Sequence, residues 1–316
     1  MTKPQISRRD LFKGLGAGML GAGLISFSNN GTASAQISPT AEEIAAYYRF
    51  SLGDATMTVV SDNAGPLPAA FLGANQEAAD MQDFFANLNL LNEDGETVTN
   101  TFLVLIMQLG DTTAIFDTGN GVGVGKLIPT LDALGIGTDG VTAIIGSHWH
   151  PDHTNGYSQD GTVNFPNATY FFPQEEYDAL QANADGFGAG PLGKIAPVED
   201  AGQLSLYASG DEVIPGVQSI ATPGHTPGHN AFMISSAGAS MMHFVDAVVN
   251  IHATVPNPEW TFGFDADADM AIEARTMLLD MAASEGVPVF GYHFSFPGTG
   301  HIIADGDSYR FIPVAF

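Results

Sequence analysis

Short apolar runs separated by turn-forming residues recur along most of the chain. Runs at 102–107 and 113–116 flank the turn sequence QLGD and predict a β-hairpin. VTAIIGS (141–147) predicts a short buried strand, and ATYFF (168–172) predicts a strand that leads into an acidic helix start, QEEYDAL. Later runs continue the strand series: GVQSIATPG, AFMISS, SMMHFVDAVV and VPVFGYHF.

Helical periodicity is clearest at 268–283. Apolar residues repeat there on one face, which we expect to face the core: Met270, Ala274, Met277, Leu278 and Met281. Residues 181–202 are rich in Gly, Ala and Pro and weakly periodic, so they predict a surface insertion or an active-site lid. Strands mixed with helices indicate one layered α/β domain, which we place at 36–316.

Residues 1–35 have the pattern of a signal peptide. Arg8 and Arg9 precede a Gly-rich apolar run that is shorter than the ~20 residues needed to span a bilayer. An A-x-A sequence predicts cleavage near Ala35/Gln36. Paired arginines are typical of the twin-arginine (Tat) route, so we expect export to the periplasm. An ordinary Sec signal and an uncleaved anchor are the alternatives.

Composition narrows the choice of partners. The 316 residues include 9 Lys+Arg against 35 Asp+Glu, a formal net charge of −26. Such a surface repels phosphates, so we expect no nucleic-acid partner and, in the mature form, no membrane partner. The chain has no cysteine, which excludes disulfides, thiolate nucleophiles and Cys-ligated metals. The oligomeric state stays open.

Three histidines and an aspartate crowd the segment SHWHPDHTNG (147–156). His148 and His150 alternate just past a predicted strand, so both can point the same way. Asp152 and His153 follow a proline and can face a second point in space. Imidazole and carboxylate ligands without thiolate suit zinc, manganese, iron or cobalt. The spacing therefore predicts metal binding and favours two ions over one.

Three downstream segments offer further ligands. TPGHTPGH contains His225 and His229, and MHFVDAVVN contains Asp246, which we place at a strand end. GYHFSFPGTGH contains His293 and His301.

In this order the motifs resemble those of the metallo-β-lactamase-fold hydrolases. HWHPDH matches that family's H-x-H-x-D-H motif, and AIFDTGNG (114–121) resembles its early Asp-x-Gly. The resemblance covers roughly residues 50–305, and the wording around VDAVV and GYHFSFPGTGHI is similar to the branch that contains methyl parathion hydrolase. It implies an α/β fold, the four-layer αβ/βα sandwich of that family.

The resemblance also implies a ligand set for two ions. Carried over position by position, the ligands are His148, His150 and His225 for the first ion, Asp152, His153 and His293 for the second, and Asp246 as the bridge. Two ions roughly 3.5–4 Å apart would lower the pKa of a shared water towards ~7 and make hydroxide the nucleophile. Asp152 is the expected catalytic residue, which orients the hydroxide and accepts its proton. Zinc is the expected metal, with iron, manganese or cobalt as alternatives.

Other residues near the motifs have expected supporting roles. We expect His229 to be a buried hydrogen-bonding residue, and Asp117 to hold the histidine segment by hydrogen bonds or to cap a turn. His243 fits a strand or surface position. His252 and His301 fit structural roles, with the pocket as the alternative. Four aromatic residues are candidates for an apolar substrate wall: Trp149, Trp260, Phe262 and Phe264.

These features predict an exported two-metal hydrolase that acts on a small ester, lactone or phosphotriester. We expect the substrate to be apolar and uncharged, because the aromatic segments favour such a molecule and the acidic surface disfavours polyanions. One alternative is an oxidoreductase on the same fold, similar to a persulfide dioxygenase with one iron. Another is a non-catalytic periplasmic metal-binding protein.

Overall fold

Two seven-stranded sheets form the centre of the structure, a computed structural model that describes residues 46–314. In spatial order the first sheet consists of β1 (Tyr47–Leu52), β2 (Ala55–Pro68), β3 (Thr97–Leu109), β4 (Thr112–Phe116), β5 (Ala143–Ile145), β8 (Thr169–Pro173) and β9 (Leu204–Tyr207). The second consists of β10 (Glu212–Ile214), β11 (Val217–Ala221), β12 (Asn230–Ser236), β13 (Ala239–His243), β14 (Pro288–Phe290), β15 (Thr299–Asp305) and β16 (Ser308–Pro313). The predicted signal peptide, 1–35, lies outside the described residues.

Helices and a small ribbon complete the described residues. The ribbon pairs β6 (Ser158–Gln159) with β7 (Thr162–Val163). The helices are a 3₁₀ turn (Ala69–Gly73), α1 (Ala78–Asn87), α2 (Leu127–Ala133), α3 (Pro151–Thr154), α4 (Gln174–Ala182), α5 (Ala189–Asp200) and α6 (Ala268–Glu285). Within residues 46–314, none of the helices combines the length and the apolar character that crossing a membrane requires.

Apolar side chains between the two sheets form the inner core. Leu105 and Phe116 of the first sheet are buried in one cluster with Phe232 and Ile234 of the second. Successive strand residues point to opposite faces, so Ile106 lies on the outer face of the first sheet. Both faces are buried, which explains why these strands appear in the sequence as continuous apolar runs.

Helices cover the two outer faces. Leu131 of α2 and Ile195 of α5 pack on the outer cluster of the first sheet. Leu278 and Leu279 of α6 pack on the outer cluster of the second sheet, together with Val289. The four layers, helix, sheet, sheet and helix, confirm the predicted αβ/βα sandwich. The hairpin is also confirmed, with Leu109 opposite Thr112.

Parallel strand pairs in both sheets end at the candidate site. β4 and β5 are parallel, and so are β13 and β14. Parallel neighbours bring their carboxyl ends to one edge, where α/β proteins commonly bind ligands. Asp117 follows β4 directly, while Asp246 and His293 each follow their strands by three residues. The prediction that Asp246 ends a strand was wrong, because β13 stops at His243 and the chain turns through Val245 at φ 51°.

Two helix predictions need correction. Most of 181–202 is regular, because α5 buries Pro191, Ile195 and Val198 at helical spacing between its Gly and Ala residues. Of the predicted core face of α6, Ala274 and Leu278 are buried and Met281 packs half-buried on the core, but Met270 is 43% exposed and Met277 39% exposed. The buried face lies one position further along and is built mainly from small and branched side chains: Ala271, Ala274, Arg275, Leu278, Leu279 and Ala282.

Candidate metal centre

The histidine segment leaves β5 and turns at once into the short helix α3. Proline fits the first helical position, because its missing N–H would have no partner there. The backbone N–H groups of His153 and Thr154 both donate to the carbonyl oxygen of His150, at 3.0 and 3.1 Å. This turn places Asp152 and His153 in a second group, although the His153 ring centroid still lies 4.1 Å from that of His148.

The structure brings all seven predicted ligands together in two groups. Within each group the candidate ligand atoms lie within 4.8 Å of one another: His148, His150, His225 and Asp246 in the first, and Asp152, His153 and His293 in the second. This division is the one that the resemblance implies. Their role as ligands stays a prediction.

Asp246 faces both groups. Its Oδ2 lies 3.3 Å from His225 Nε2 in the first group and 3.2 Å from His293 Nε2 in the second. Its Oδ1 lies 3.2 Å from His153 Nε2. A carboxylate in this position can place one oxygen on each of two neighbouring ions.

Asp117 fixes the ring orientation of two histidines. Its two oxygens accept the Ser147 N–H at 2.8 Å and the Ser147 hydroxyl at 2.7 Å. Because that hydroxyl hydrogen goes to Asp117, Ser147 Oγ accepts from His148 Nδ1 at 2.9 Å. Asp117 Oδ2 also accepts from His153 Nδ1 at 2.8 Å. With their outer nitrogens bound in this way, His148 and His153 both turn Nε2 towards the site. The predicted holding role of Asp117 matches these contacts.

Two further histidines are oriented in the same manner. His293 Nδ1 donates to the carbonyl oxygen of Thr101 at 2.9 Å, and His225 Nδ1 donates to Asp265 Oδ1 at 3.1 Å. Each therefore turns its Nε2 inwards, towards Asp246. Hydrogen bonds of this kind on the outer ring nitrogen are typical of metal-binding histidines.

The inward-facing nitrogen and oxygen atoms lie within hydrogen-bond distance of one another. His150 Nδ1 lies 3.0 Å from His148 Nε2 and 2.8 Å from His225 Nε2. Among the described residues, the buried atoms His153 Nε2 and Asp246 Oδ1 have no hydrogen-bond partner. Buried lone pairs that face one another require protons or cations between them. The donor set therefore fits divalent metal ions.

Burial and charge divide the histidines into two kinds. Burial, together with neighbouring His153, lowers the pKa of His148 well below its ordinary value, and burial lowers the pKa of His150 to about 3. Burial acts in the same direction on His153, but Asp246 and Asp152 outweigh it and raise its pKa. His148 and His150 are thus neutral at pH 7, the form that binds metal.

The remaining histidines lie outside both groups. His229 is buried, with Nδ1 at 2.8 Å from the Thr222 hydroxyl and Nε2 accepting the Asp246 N–H at 3.2 Å, as its predicted hydrogen-bonding role requires. His243 is a fully buried strand residue, so the surface alternative was wrong. His252 lies in a separate cavity of about 620 Å³, and His301 is exposed on β15.

Aromatic rings flank His150 on two sides. The Trp149 ring centroid lies 4.4 Å from that of His150 and 5.4 Å from that of Phe187. Phe264 lies 6.4 Å from His150 and is 51% exposed. Trp260 instead packs on Phe84 in a core cluster, which is the loop-packing alternative for this residue.

Sequence reasoning missed three supporting residues. Asp265 and Arg275 are buried behind His225, and Glu176 of α4 accepts hydrogen bonds from Thr226 and Gly228 in the same segment. A lone arginine inside a helix of alanines and leucines was the available signal for Arg275. Nothing in the local spacing signals Asp265, which lies 40 residues from His225.

A family model matches the part of the chain that contains most of the candidate ligands. The model described as "Metallo-beta-lactamase superfamily" matches residues 94–285. The chain belongs to the metallo-beta-lactamase superfamily. The match includes every candidate ligand except His293, which follows it on β14's carboxyl side.

Curated relatives of this superfamily member are lactonases. An N-acyl homoserine lactonase of Bacillus cereus is 25% identical over 169 residues, which cover 53% of this chain and 62% of the relative. A second, from Bacillus sp., is 27% identical over 172 residues with the same coverage. The chain thus matches less than two thirds of the length of these relatives.

Solved structures of the superfamily share the fold over most of the chain. A hydrolase of the beta lactamase superfamily, AbOPH, has a TM-score of 0.79 and 29% identity, covering 86% of this chain and 99% of its own. AidC, a dizinc quorum-quenching lactonase solved with its product N-hexnoyl-L-homoserine, has a TM-score of 0.79 and 22% identity, covering 87% of this chain and 99% of its own. The resemblance to the methyl parathion hydrolase branch stays a prediction.

Proposed function

We propose that the protein is a two-metal hydrolase that opens the ring of small lactones, with N-acyl homoserine lactones as the first substrates to test. The observation that carries this proposal is Asp246, whose two oxygens face two convergent groups of buried ligands. The lactonase relatives support the substrate class.

Each group of residues would hold one ion. The first would be held by His148, His150, His225 and one oxygen of Asp246, and the second by Asp152, His153, His293 and the other oxygen. Two bound ions supply Lewis-acid polarisation of the attacked carbonyl and acidify a water molecule. Zinc is our first choice of metal, because histidine-rich sites without thiolate commonly bind it.

Asp152 is the proposed proton carrier. Its side chain is 21% exposed, whereas those of His153 and Asp246 are 0% and 4% exposed. It thus lies at the mouth of the site, where a water molecule has access. As water oxygen bonds to the carbonyl carbon and the ring C–O bond breaks, Asp152 takes the water proton and returns it to the leaving alkoxide. The product is a hydroxy acid.

The aromatic rings beside His150 favour a substrate with an apolar arm. Trp149 and Phe264 lie next to this histidine, and the exposed ring of Phe187 extends the surface from Trp149. Burying such surface against an acyl chain contributes about 25 cal/mol per Å². The net charge of −26 disfavours polyanionic substrates.

Export to the periplasm is part of the proposal. It is supported by the Arg8–Arg9 pair and the A-x-A sequence ending at Ala35. Replacing both arginines by lysine should trap the full-length chain in the cytoplasm, as fractionation and immunoblotting would show. Unchanged secretion of that variant would contradict the Tat route.

The proposed activity is tested by metal analysis of the purified protein combined with a substrate panel. We expect two metal ions per chain and hydrolysis of N-acyl homoserine lactones, with aryl esters and phosphotriesters as comparison substrates. Chelation should abolish activity and added zinc should restore it. One iron per chain with oxygen uptake on persulfide would establish the oxidoreductase alternative. Bound metal with no hydrolysis of any substrate would indicate a non-catalytic metal-binding protein.

A further inference from the structure

Arg275 is fully buried beneath the candidate metal centre. It lies on α6, and each of its nitrogen atoms donates a hydrogen bond. Nε donates to the carbonyl oxygen of Ala247 at 2.9 Å, and Nη1 donates to those of Pro258 at 3.0 Å and Trp260 at 2.6 Å. Nη2 donates to Asp265 Oδ2 at 3.2 Å. One guanidinium therefore binds the backbone at Ala247, next to Asp246, and also the later segment that contains Pro258, Trp260 and Asp265.

Asp265 connects this arginine to the first ligand group. Its Oδ2 also accepts the Phe262 N–H at 3.0 Å, and its Oδ1 accepts from His225 Nδ1 at 3.1 Å. The side chains of Asp265 and His225 are each 1% exposed. Both carboxylate oxygens are thus fixed, and the outer nitrogen of His225 has a buried carboxylate as its acceptor.

Backbone hydrogen bonds also connect the residues after Asp265 to the segment that contains His225. The N–H of Ala266 donates to the carbonyl oxygen of His225 at 3.2 Å, and the N–H of Asp267 donates to that of Gly224 at 2.8 Å. Residues 258–265, which we name the aromatic segment, include Phe264 beside His150 and Phe262 stacked on His225, with ring centroids 5.8 Å apart. The segment and His225 are therefore held as one unit.

We propose that Asp265 is a positioning residue for His225 and that Arg275 locks it in place, so that the aromatic segment and the first ion's ligands are set together. The inference rests on the proposed two-metal function. It predicts a selective effect, because among the described residues Asp265 contacts no ligand of the second group.

An amide cannot replace this carboxylate. The Asn side chain has one acceptor end and one donor end, whereas Asp265 faces donors at both: His225 Nδ1 on one side and Arg275 Nη2 with the Phe262 N–H on the other. Asp265→Asn also leaves the buried Arg275 without its ion-pair partner, which is strongly destabilising in buried pairs. Asp265→Glu keeps the charge beside Arg275 but shifts the oxygen that His225 contacts.

The test is the affinity of each variant for two zinc ions, measured by competition with a chromogenic chelator. Loss of an outer-ring partner costs metal sites about 10- to 100-fold in affinity. We expect Asp265→Asn to weaken one ion by that factor and to leave the other unchanged, and Asp265→Glu to weaken the same ion less. When the Asp265 variants are loaded with cobalt, the absorption bands of one cobalt ion should differ from those of the native protein, and the bands of the other ion should be unchanged. Asp269→Asn, an exposed change of the same charge on α6, is the control and should match the native protein.

Folding is checked by near-UV circular dichroism, and Asp265→Glu carries the test if Asp265→Asn does not fold. Native affinity for both ions in the folded variants would overturn the inference and leave the proposed function intact. Equal weakening of both ions would overturn it as well. A native protein that binds no zinc would instead contradict the proposed function itself.

Discussion

Two buried carboxylates, Asp117 and Asp265, support the candidate centre from different parts of the fold. Asp117 directly follows β4. It contacts His153 of the second group directly and is connected to His148 of the first group through the Ser147 hydroxyl. Asp265 lies in the aromatic segment and reaches only His225 among the candidate ligands of the described chain. One support is shared by both groups, and the other serves a single group.

The difference follows from where each carboxylate lies. Asp117 is held at the edge of a parallel strand pair, where the backbone is fixed by the sheet. Asp265 lies on an irregular segment and depends on Arg275 for its position. Segments of this kind differ most among related proteins and commonly contact substrate. We therefore expect the sheet side to orient a predicted ligand in each group, and the loop side to orient His225 while adapting the site to a substrate.

The largest effect is expected at Asp246, which faces both groups. Asp246→Ala removes the one carboxylate shared by both predicted ions, so metal and activity should be lost together. Elemental analysis and a lactone assay on the same preparation would show this. Full activity in this variant would rule out the two-metal mechanism.

Asp117→Asn should weaken both ions, in contrast to Asp265→Asn. Asp117 faces donors at both oxygens, whereas an amide has only one acceptor end. If its oxygen accepts the Ser147 N–H, its NH2 group faces the Ser147 hydroxyl and His153 Nδ1, so one histidine of each group loses its orientation. We expect each ion to bind about 10- to 100-fold more weakly. Chelator competition on both variants, side by side, measures this. Loss of a single ion in Asp117→Asn would remove the distinction between the two carboxylates.

Glu176 supports the His225 segment from α4, and its effect should appear in stability and pH dependence. Burial raises the pKa of Glu176 to about 7, against an ordinary value of 4.5. Between these values the folded chain binds more protons than the unfolded chain, so ionisation of Glu176 lowers stability as pH rises. Glu176→Gln keeps the acceptor for Thr226 and Gly228 but cannot ionise.

Urea unfolding of native and Glu176→Gln protein measures this difference. The two free energies of unfolding should be similar below pH 4.5, and the variant should be about 1–3 kcal/mol more stable at pH 8. A constant difference across this range would show that Glu176 does not titrate there.

The smallest effect on metal is expected at His229. Its nitrogen atoms contact Thr222 and the Asp246 N–H, so it lies behind the ligands. His229→Ala should keep two ions per chain and lose about 1–3 kcal/mol of stability, because it leaves a buried N–H without its acceptor. Loss of one ion would place His229 among the ligands.

Four of the seven candidate ligands could be grouped from the sequence alone because they are close in the chain, whereas the family resemblance implied His225, Asp246 and His293. His148, His150, Asp152 and His153 occupy six consecutive positions, and the turn of α3 is enough to separate them into two groups. The layered fold followed from apolar runs that are buried on both faces of a sheet.

The supporting residues Asp265 and Arg275, the helix α5 and the buried face of α6 could not be predicted from local sequence spacing. Asp265 and Arg275 acquire their roles only when residues far apart in the chain are packed together. In α5, glycine, alanine and proline between the buried residues hide the helical period. In α6 the exposed Met270 and Met277 are more apolar than the alanines that the helix buries, so the hydrophobic pattern indicated a face that is only partly buried.

The position of the ions themselves tests the central claim most directly. Crystals of zinc-loaded protein should show two anomalous peaks at the zinc edge on either side of Asp246. One should lie among His148, His150 and His225, and the other among Asp152, His153 and His293. A single peak, or two peaks that do not share Asp246, would contradict the two-metal account.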